Sequence, residues 1–238
     1  MNFGGKNILV VGGSSGIGLS LIKLLATNGA TVYNISRSAS AEWPDGVHHL
    51  SLDVLGNISP LVNFLPENLH GLVYSVGSIN LKPFARLTEE DFINDYRINV
   101  IGAAKIIQHS LKALKASQSA SVILVSSVAA RSGMSFHGSI SAAKSAIEGM
   151  ALSLAAELAP NHIRVNVVAP SLTDTPLAQN LLNTPERKEA SNKRHPLGKY
   201  GSPEDVSSTI AFLLADETAW MTGQVIGIDG GLGKLKTS

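Results

Sequence analysis

Seven short apolar runs, separated by stretches of helical periodicity, leave this chain few ways to fold. They fall at residues 7–11 (NILVV), 31–35, 49–52, 71–75, 121–126 (SVILVS), 163–168 and 224–228. Runs that are apolar throughout, rather than alternating, suit strands buried on both faces. Between them, Ile17, Leu21, Leu24 and Leu25 recur at helical spacing before an Asn28-Gly29 stop. Thr88-Glu89-Glu90-Asp91 reads as a capped helix start, with helical pattern to about Leu114. Residues 141–159 predict an Ala-rich helix ended by Pro160, and Ser202-Pro203-Glu204-Asp205 starts another. Strands of this kind alternating with helices predict an α/β fold: a doubly wound, parallel, seven-stranded sheet covered on both sides. No linker or repeat divides residues 1–238, so one domain is expected. Residues 176–200 show little pattern and read as a lid or binding loop over a pocket.

Composition removes several function classes. Lys+Arg 19 against Asp+Glu 18 gives a net charge of +1 with no basic block, which argues against nucleic acid as a partner. Without cysteine there are no disulfides, thiol nucleophiles or cysteine-ligated metals, and the histidines have no ligand spacing with nearby acids, so no metal is expected. His48 and His49 are adjacent, so in a strand their rings point to opposite faces. No apolar run approaches a membrane span, and the chain enters its first strand too soon for a signal peptide. A cytoplasmic protein with no membrane partner is the expectation.

The turn Gly12-Gly13-Ser14-Ser15-Gly16-Ile17-Gly18 joins the first strand to the first helix. Glycines there let backbone approach a pyrophosphate, and the helix N-terminus offers unpaired N–H groups to the phosphates. The same turn without a ligand would be a tight strand–helix connection. Its spacing is G-x-x-x-G-x-G rather than G-x-G-x-x-G.

With this turn, the chain resembles the short-chain dehydrogenase/reductase family over nearly its whole length. The family's Thr-Gly-x-x-x-Gly-x-Gly has Val11 here in place of threonine. Asp53-Val54 matches the adenine-contacting pair, Asn99 the active-site asparagine, Ser127 the serine and Lys144 the lysine of Tyr-x-x-x-Lys. Tyr74-Ser75-Val76-Gly77 stands for Asn-Asn-Ala-Gly, and Ala169-Pro170-Ser171 with Thr173, Thr175 and Pro176 resembles the loop over the nicotinamide. The resemblance implies a three-layer Rossmann fold and a nicotinamide cofactor held by Gly12, Ser14, Ser15, Gly16, Ile17, Gly18, Ser36, Arg37, Asp53, Val54, Val76, Gly77, Lys144, Pro170, Ser171, Thr173 and Thr175. NAD sites place a carboxylate at the end of the second strand, whereas Ser36 and Arg37 stand there. Serine removes the repelling charge and a guanidinium can grip the extra phosphate, so NADP(H) is expected, with NAD(H) as the alternative.

The family's tyrosine protonates the substrate oxygen, its lysine lowers the phenol pKa, its serine positions the carbonyl and its asparagine fixes a water. Position 140, thirteen after Ser127 and four before Lys144, holds isoleucine instead. Ile140 cannot transfer a proton. Lys144 can persist to hold ribose, and Asn99 to stabilise its helix. His137 is a candidate donor, since an imidazole near pKa 6.5 is competent. Gly133 and Gly138 argue for a loop there, in which His137 faces solvent. If residues 137–140 were helical, His137 and Ile140 would share a face. Tyr74 reads as core. Three functions stay open: an NADP-dependent oxidoreductase on a small carbonyl or alcohol, a silent NADP(H)-binding protein, and a structural subunit. The family also implies a homodimer or homotetramer packed through the helices that carry Asn99 and Lys144. Ala142, Ala146, Met150 and Ser153 suit that packing or burial on the sheet.

Overall fold

A computed structural model describes residues 1–236. All seven apolar runs are strands: β1 (Asn7–Val11), β2 (Thr31–Ser36), β3 (His48–Ser51), β4 (Gly71–Tyr74), β5 (Ala120–Val125), β6 (Ile163–Pro170) and β7 (Val225–Ile228). They pair in parallel in the order β3-β2-β1-β4-β5-β6-β7. The helices are α1 (Gly16–Thr27), α2 (Leu61–Phe64), α3 (Glu89–Tyr96), α4 (Gly102–Ala116), α5 (Gly138–Leu158), α6 (Pro185–Arg194) and α7 (Pro203–Leu214). Among the described residues no helix is long and apolar enough to cross a membrane.

Alternation along the strands builds two cores, one on each face. Leu9 and Val11 of β1 pack with Ile106 of α4 and Ile147 and Ala151 of α5, while Ile8 and Val10 pack with Leu21, Ile22 and Leu25 of α1 and Ile210 of α7. Each fully buried side chain of this size contributes about 1.5–3 kcal/mol, which holds the three layers together. His48 stacks on Tyr33 with ring centroids 4.7 Å apart and His49 lies 4.9 Å from Trp43, on opposite faces as expected. The chain runs from β1 outward to β3, then crosses back to β4 on the other side of β1. Connections leaving the C-terminal ends of β1 and β4 therefore diverge, and a crevice opens between them.

The helical pattern expected from residue 88 to 114 is interrupted. Thr88 caps α3 in a reciprocal pair with Asp91, as its sequence predicts. At Arg97–Ile101 the helix widens, and the N–H of Gly102 reaches back five residues to Arg97 O. The Tyr74 hydroxyl donates to Ile98 O at 2.6 Å, and it lies only 2.3 Å from where a Cβ on Gly102 would sit. A buried phenol from the sheet thus claims a helix carbonyl, which local periodicity cannot announce. Burial also pushes the Tyr74 phenol far above its usual range, so it is core as expected.

Residues 176–200 are not the patternless loop expected. They form a tight 3₁₀ turn at Pro176–Leu181 and then α6, capped by the Thr184 hydroxyl accepting from Arg187 N, with Pro185 in its first turn. The α6 sequence PERKEASNKR has one apolar residue, so the helix leaves no hydrophobic period to read. The loop expected around Gly138 is also corrected: α5 starts there, three residues before position 141. A Cβ on Gly138 would lie 3.0 Å from Leu87 and 3.4 Å from Phe84, so this glycine permits close packing rather than a turn. The short α2 has no counterpart in the sequence expectations.

Candidate functional site

The glycine turn folds as its residue types require. Gly12 takes φ +91, a left-handed conformation open to glycine, and a Cβ on Gly18 would lie 2.2 Å from Gly12 O. Gly18 is therefore the packing glycine that seats α1 against the strand end. Thr88, Thr184 and Ser202 cap α3, α6 and α7 with their side chains, whereas Ser15 makes no such bond and the first turn of α1 carries no acid. The N–H groups and positive dipole end of α1 thus stay available to an anion.

A groove of about 330 Å³ runs from this turn across the sheet edge. It is lined by Gly12, Ser14, Ser15, Gly16, Ile17, Ser36, Arg37, Asp53, Val54, Val76, Gly77 and Thr175. Twelve positions expected from the sequence to hold a cofactor thus meet at one place, with Gly18 packed behind them. Arg37 is exposed and forms no ion pair among the described residues. Ser36 turns inward: its hydroxyl accepts from Asn34 Nδ2 and donates to Ser38 O, both at 2.8 Å. Its contribution to the groove is the lack of a carboxylate. A glycine-floored cradle under an uncapped helix end, with a guanidinium at the end of β2, fits a phosphorylated dinucleotide.

The groove opens into a second cavity of about 610 Å³, with Ile17, Ser75, Val76, Gly77, Thr175 and Leu177 lining both. Ser127, His137, Ile140, Lys144, Pro170, Ser171 and Thr173 line the second. Four elements bring them together: the end of β5, α5, the end of β6 and the segment leading to α6. Ile140 is 6% exposed and forms part of the wall. Ser127 Oγ accepts from Ala129 N at 3.2 Å, capping a short turn. His137 ends the loop just before α5 and is half-buried, and its Nδ1 meets Ser135 O at 2.7 Å. That carbonyl can only accept, so Nδ1 is the donor in this hydrogen bond.

Lys144 Nζ donates to Val125 O at 2.7 Å and is buried. Burial pushes its ammonium down from 10.5 to about 8, with the Asp95 carboxylate opposing the shift. Asn99 is 1% exposed and donates from Nδ2 to Asp95 O at 2.8 Å and to Ser78 Oγ at 3.1 Å. Its Oδ1 has no partner among the described residues. A Cβ on Gly77 would lie 3.3 Å from both Asn99 Oδ1 and Lys144 Nζ, so the two face one gap beside the cavity. Asn99 stands behind the cavity wall, not on it.

Sequence reasoning expected residues 176–200 to cover a pocket but missed the helix in them and the side chains it presents. Arg187, Ala190, Ser191 and Arg194 of α6 line the cavity, at the i, i+3, i+4, i+7 spacing of one helix face. His195, 3% exposed, joins α6 to the loop after β6: its Nδ1 meets Ser191 O at 2.7 Å and its Nε2 meets Ser171 Oγ at 2.8 Å. The Thr184-Pro185-Glu186 start was the available signal for this helix, of the same kind as the recognised Ser202-Pro203-Glu204.

Known proteins place this arrangement. Residues 11–233 match the family model described as enoyl-(acyl carrier protein) reductase. The chain is 34% identical over 249 residues to the 3-oxoacyl-[acyl-carrier-protein] reductase FabG of Thermotoga maritima, covering 98% of this chain and 99% of that protein. A short-chain type dehydrogenase/reductase from Mycobacterium ulcerans superposes with a TM-score of 0.90 at 27% identity, covering 98% of this chain and 91% of that one. ElxO with NADP bound superposes at 0.86 with 26% identity, covering 95% and 98%, and so does its tyrosine-to-phenylalanine variant with NADPH bound.

Proposed function

The chain belongs to the short-chain dehydrogenase/reductase family, and from that premise we propose that it is an NADP(H)-dependent oxidoreductase of a carbonyl/alcohol pair that works without the usual tyrosine. The observation that carries this reading is the continuity of the glycine-floored groove, which holds Arg37, with a cavity that keeps Ser127 and Lys144. NADP bound to the structural relative ElxO supports the cofactor class. Arg37 would hold the extra phosphate, the α1 N-terminus the pyrophosphate, Lys144 the nicotinamide ribose, and Pro170, Ser171, Thr173 and Thr175 the loop over the ring. When bound, the reduced cofactor supplies a hydride to a carbonyl carbon, and the oxidised form takes one from an alcohol.

The protein's own task is to orient that carbon and to move one proton. Ser127 presents an uncommitted hydroxyl proton to the substrate oxygen, since its Oγ accepts from backbone. His137, protonated at Nε2 when cationic, is the proton donor of this reading, entering the cavity one position before the helix that carries Ile140. A second reading, a silent NADP(H)-binding protein, is favoured by one observation: Ile140 closes the wall where the family's acid would stand. We place the protein in the cytoplasm, as one domain that assembles into a homodimer or homotetramer, with residues 176–200 as its substrate lid.

The deciding experiment is NADPH oxidation over a panel of ketones and aldehydes by the native chain and by Ile140→Tyr. The oxidoreductase reading expects measurable native turnover that His137→Gln lowers by about 10²-fold or more, the usual worth of a positioned acid, with the tyrosine variant active as well. Turnover by the variant alone would leave the silent-binder reading standing.

A further inference from the structure

The roof and the floor of the second cavity differ in chemistry. Its walls are mostly apolar, with Ile79, Met134, Ile140 and Leu172 among them, whereas α6 brings in two guanidiniums, Arg187 and Arg194. These sit seven residues apart, two turns along one helix face. No aspartate or glutamate lines the cavity, and neither arginine pairs with a carboxylate among the described residues. Arg187 Nη1 donates only to neutral oxygens, Asn180 O and Asn183 Oδ1, and Arg194 Nη2 only to Ser191 Oγ at 3.2 Å.

Both arginines are exposed on α6 while they line the cavity, so their guanidiniums carry no carboxylate of their own and are open to an anion that enters it. The cofactor phosphates would lie elsewhere on this geometry, because the groove floored by the glycine turn contains Arg37 and neither α6 arginine. We propose that the cavity selects carbonyl or alcohol substrates with an apolar segment ending in an anionic group, a carboxylate or a phosphate, gripped by Arg187 and Arg194. This rests on the reading of the cavity as the substrate site. Apolar walls take the segment, the Ser127 end takes the reacting oxygen, and α6 takes the charge. Guanidinium offers paired donors that match the oxygens of either anion.

The test is calorimetric binding to NADPH-loaded protein of straight-chain oxo acids of increasing length, each beside its methyl ester and the corresponding phosphate monoester. At one length or more, an anionic member should bind at least about tenfold tighter than its ester, the scale of a charge-assisted pair. Arg187→Gln and Arg194→Gln should each remove most of that preference while leaving NADPH affinity unchanged. Whether acid or phosphate binds tighter identifies the anion. Equal affinity of acid, phosphate and ester, no binding at any length, or arginine variants that weaken NADPH instead would overturn the proposal. Failure of the native chain to bind NADPH would sink the oxidoreductase reading alone, and the same comparison on the apoprotein would still judge the arginines.

Discussion

Lys144 shows how a single side chain carries both stability and function. Its ammonium is lowered to about 8, chiefly by burial, while an unfolded lysine stays near 10.5. Between these values the unfolded chain binds more protons, so stability rises with pH across that window; below pH 8 the full penalty of a buried charge is present. Lys144→Met should therefore melt about 2–5 °C above the native apoprotein at pH 7, with the gap closing as pH passes 8 toward 10.5, and should weaken NADPH binding. A lower melting temperature at pH 7 would show that the Val125 carbonyl contact outweighs desolvation. That Ile140 stands near Lys144 in one cavity wall was to be expected, being four residues before it on the same helix. The inward turn of Ser36 was not, because its partners Asn34 and Ser38 are chosen by how β2 ends.

Where helices meet strands, glycine decides the approach. The start of α1 depends on Gly18, where an added methyl group would press on backbone rather than on a yielding side chain. Gly18→Ala should lower unfolding stability by about 3 kcal/mol, read as a reduced urea midpoint, and should weaken NADPH binding because the turn above must move. A midpoint equal to the native one would show that α1 slides along the sheet without loss. Caps were legible where apolar period supported them, as at Thr88 and Ser202, and were missed at Thr184, where the helix behind the cap is nearly all polar. The wide turn at Arg97–Ile101 was invisible for another reason: its cause, Tyr74, lies on a strand more than twenty residues earlier.

The assembled molecule leaves a surface that the single chain does not use. On α5, Ala142 and Ser153 face outward while Ala146 and Met150 pack against the core, and Leu152 is 63% exposed. Trp220 is fully exposed near the edge strand β7. If the protein assembles as proposed and α5 is the oligomer face, Leu152→Glu should shift its sedimentation toward that of a monomer, because a carboxylate buried at an interface lacks a partner. An unchanged sedimentation coefficient would remove α5 from the interface.

The sheet, its two covered faces and the tight glycine turn before α1 were readable in the sequence because each follows from local rules: β-branched runs, glycine spacing, and the burial that parallel strands require. The expectation that position 140 lacks the family's acid came from the resemblance, through the places of Ser127 and Lys144. What needed the tertiary structure was everything set by contact between distant segments. The widened helix at Asn99, the join of His195 to Ser171 and the two arginines above the cavity all depend on which element lies over which. Strand order brings the ends of β5 and β6 together, and packing lowers a polar helix onto them; neither step leaves a periodic trace in the residues that take part.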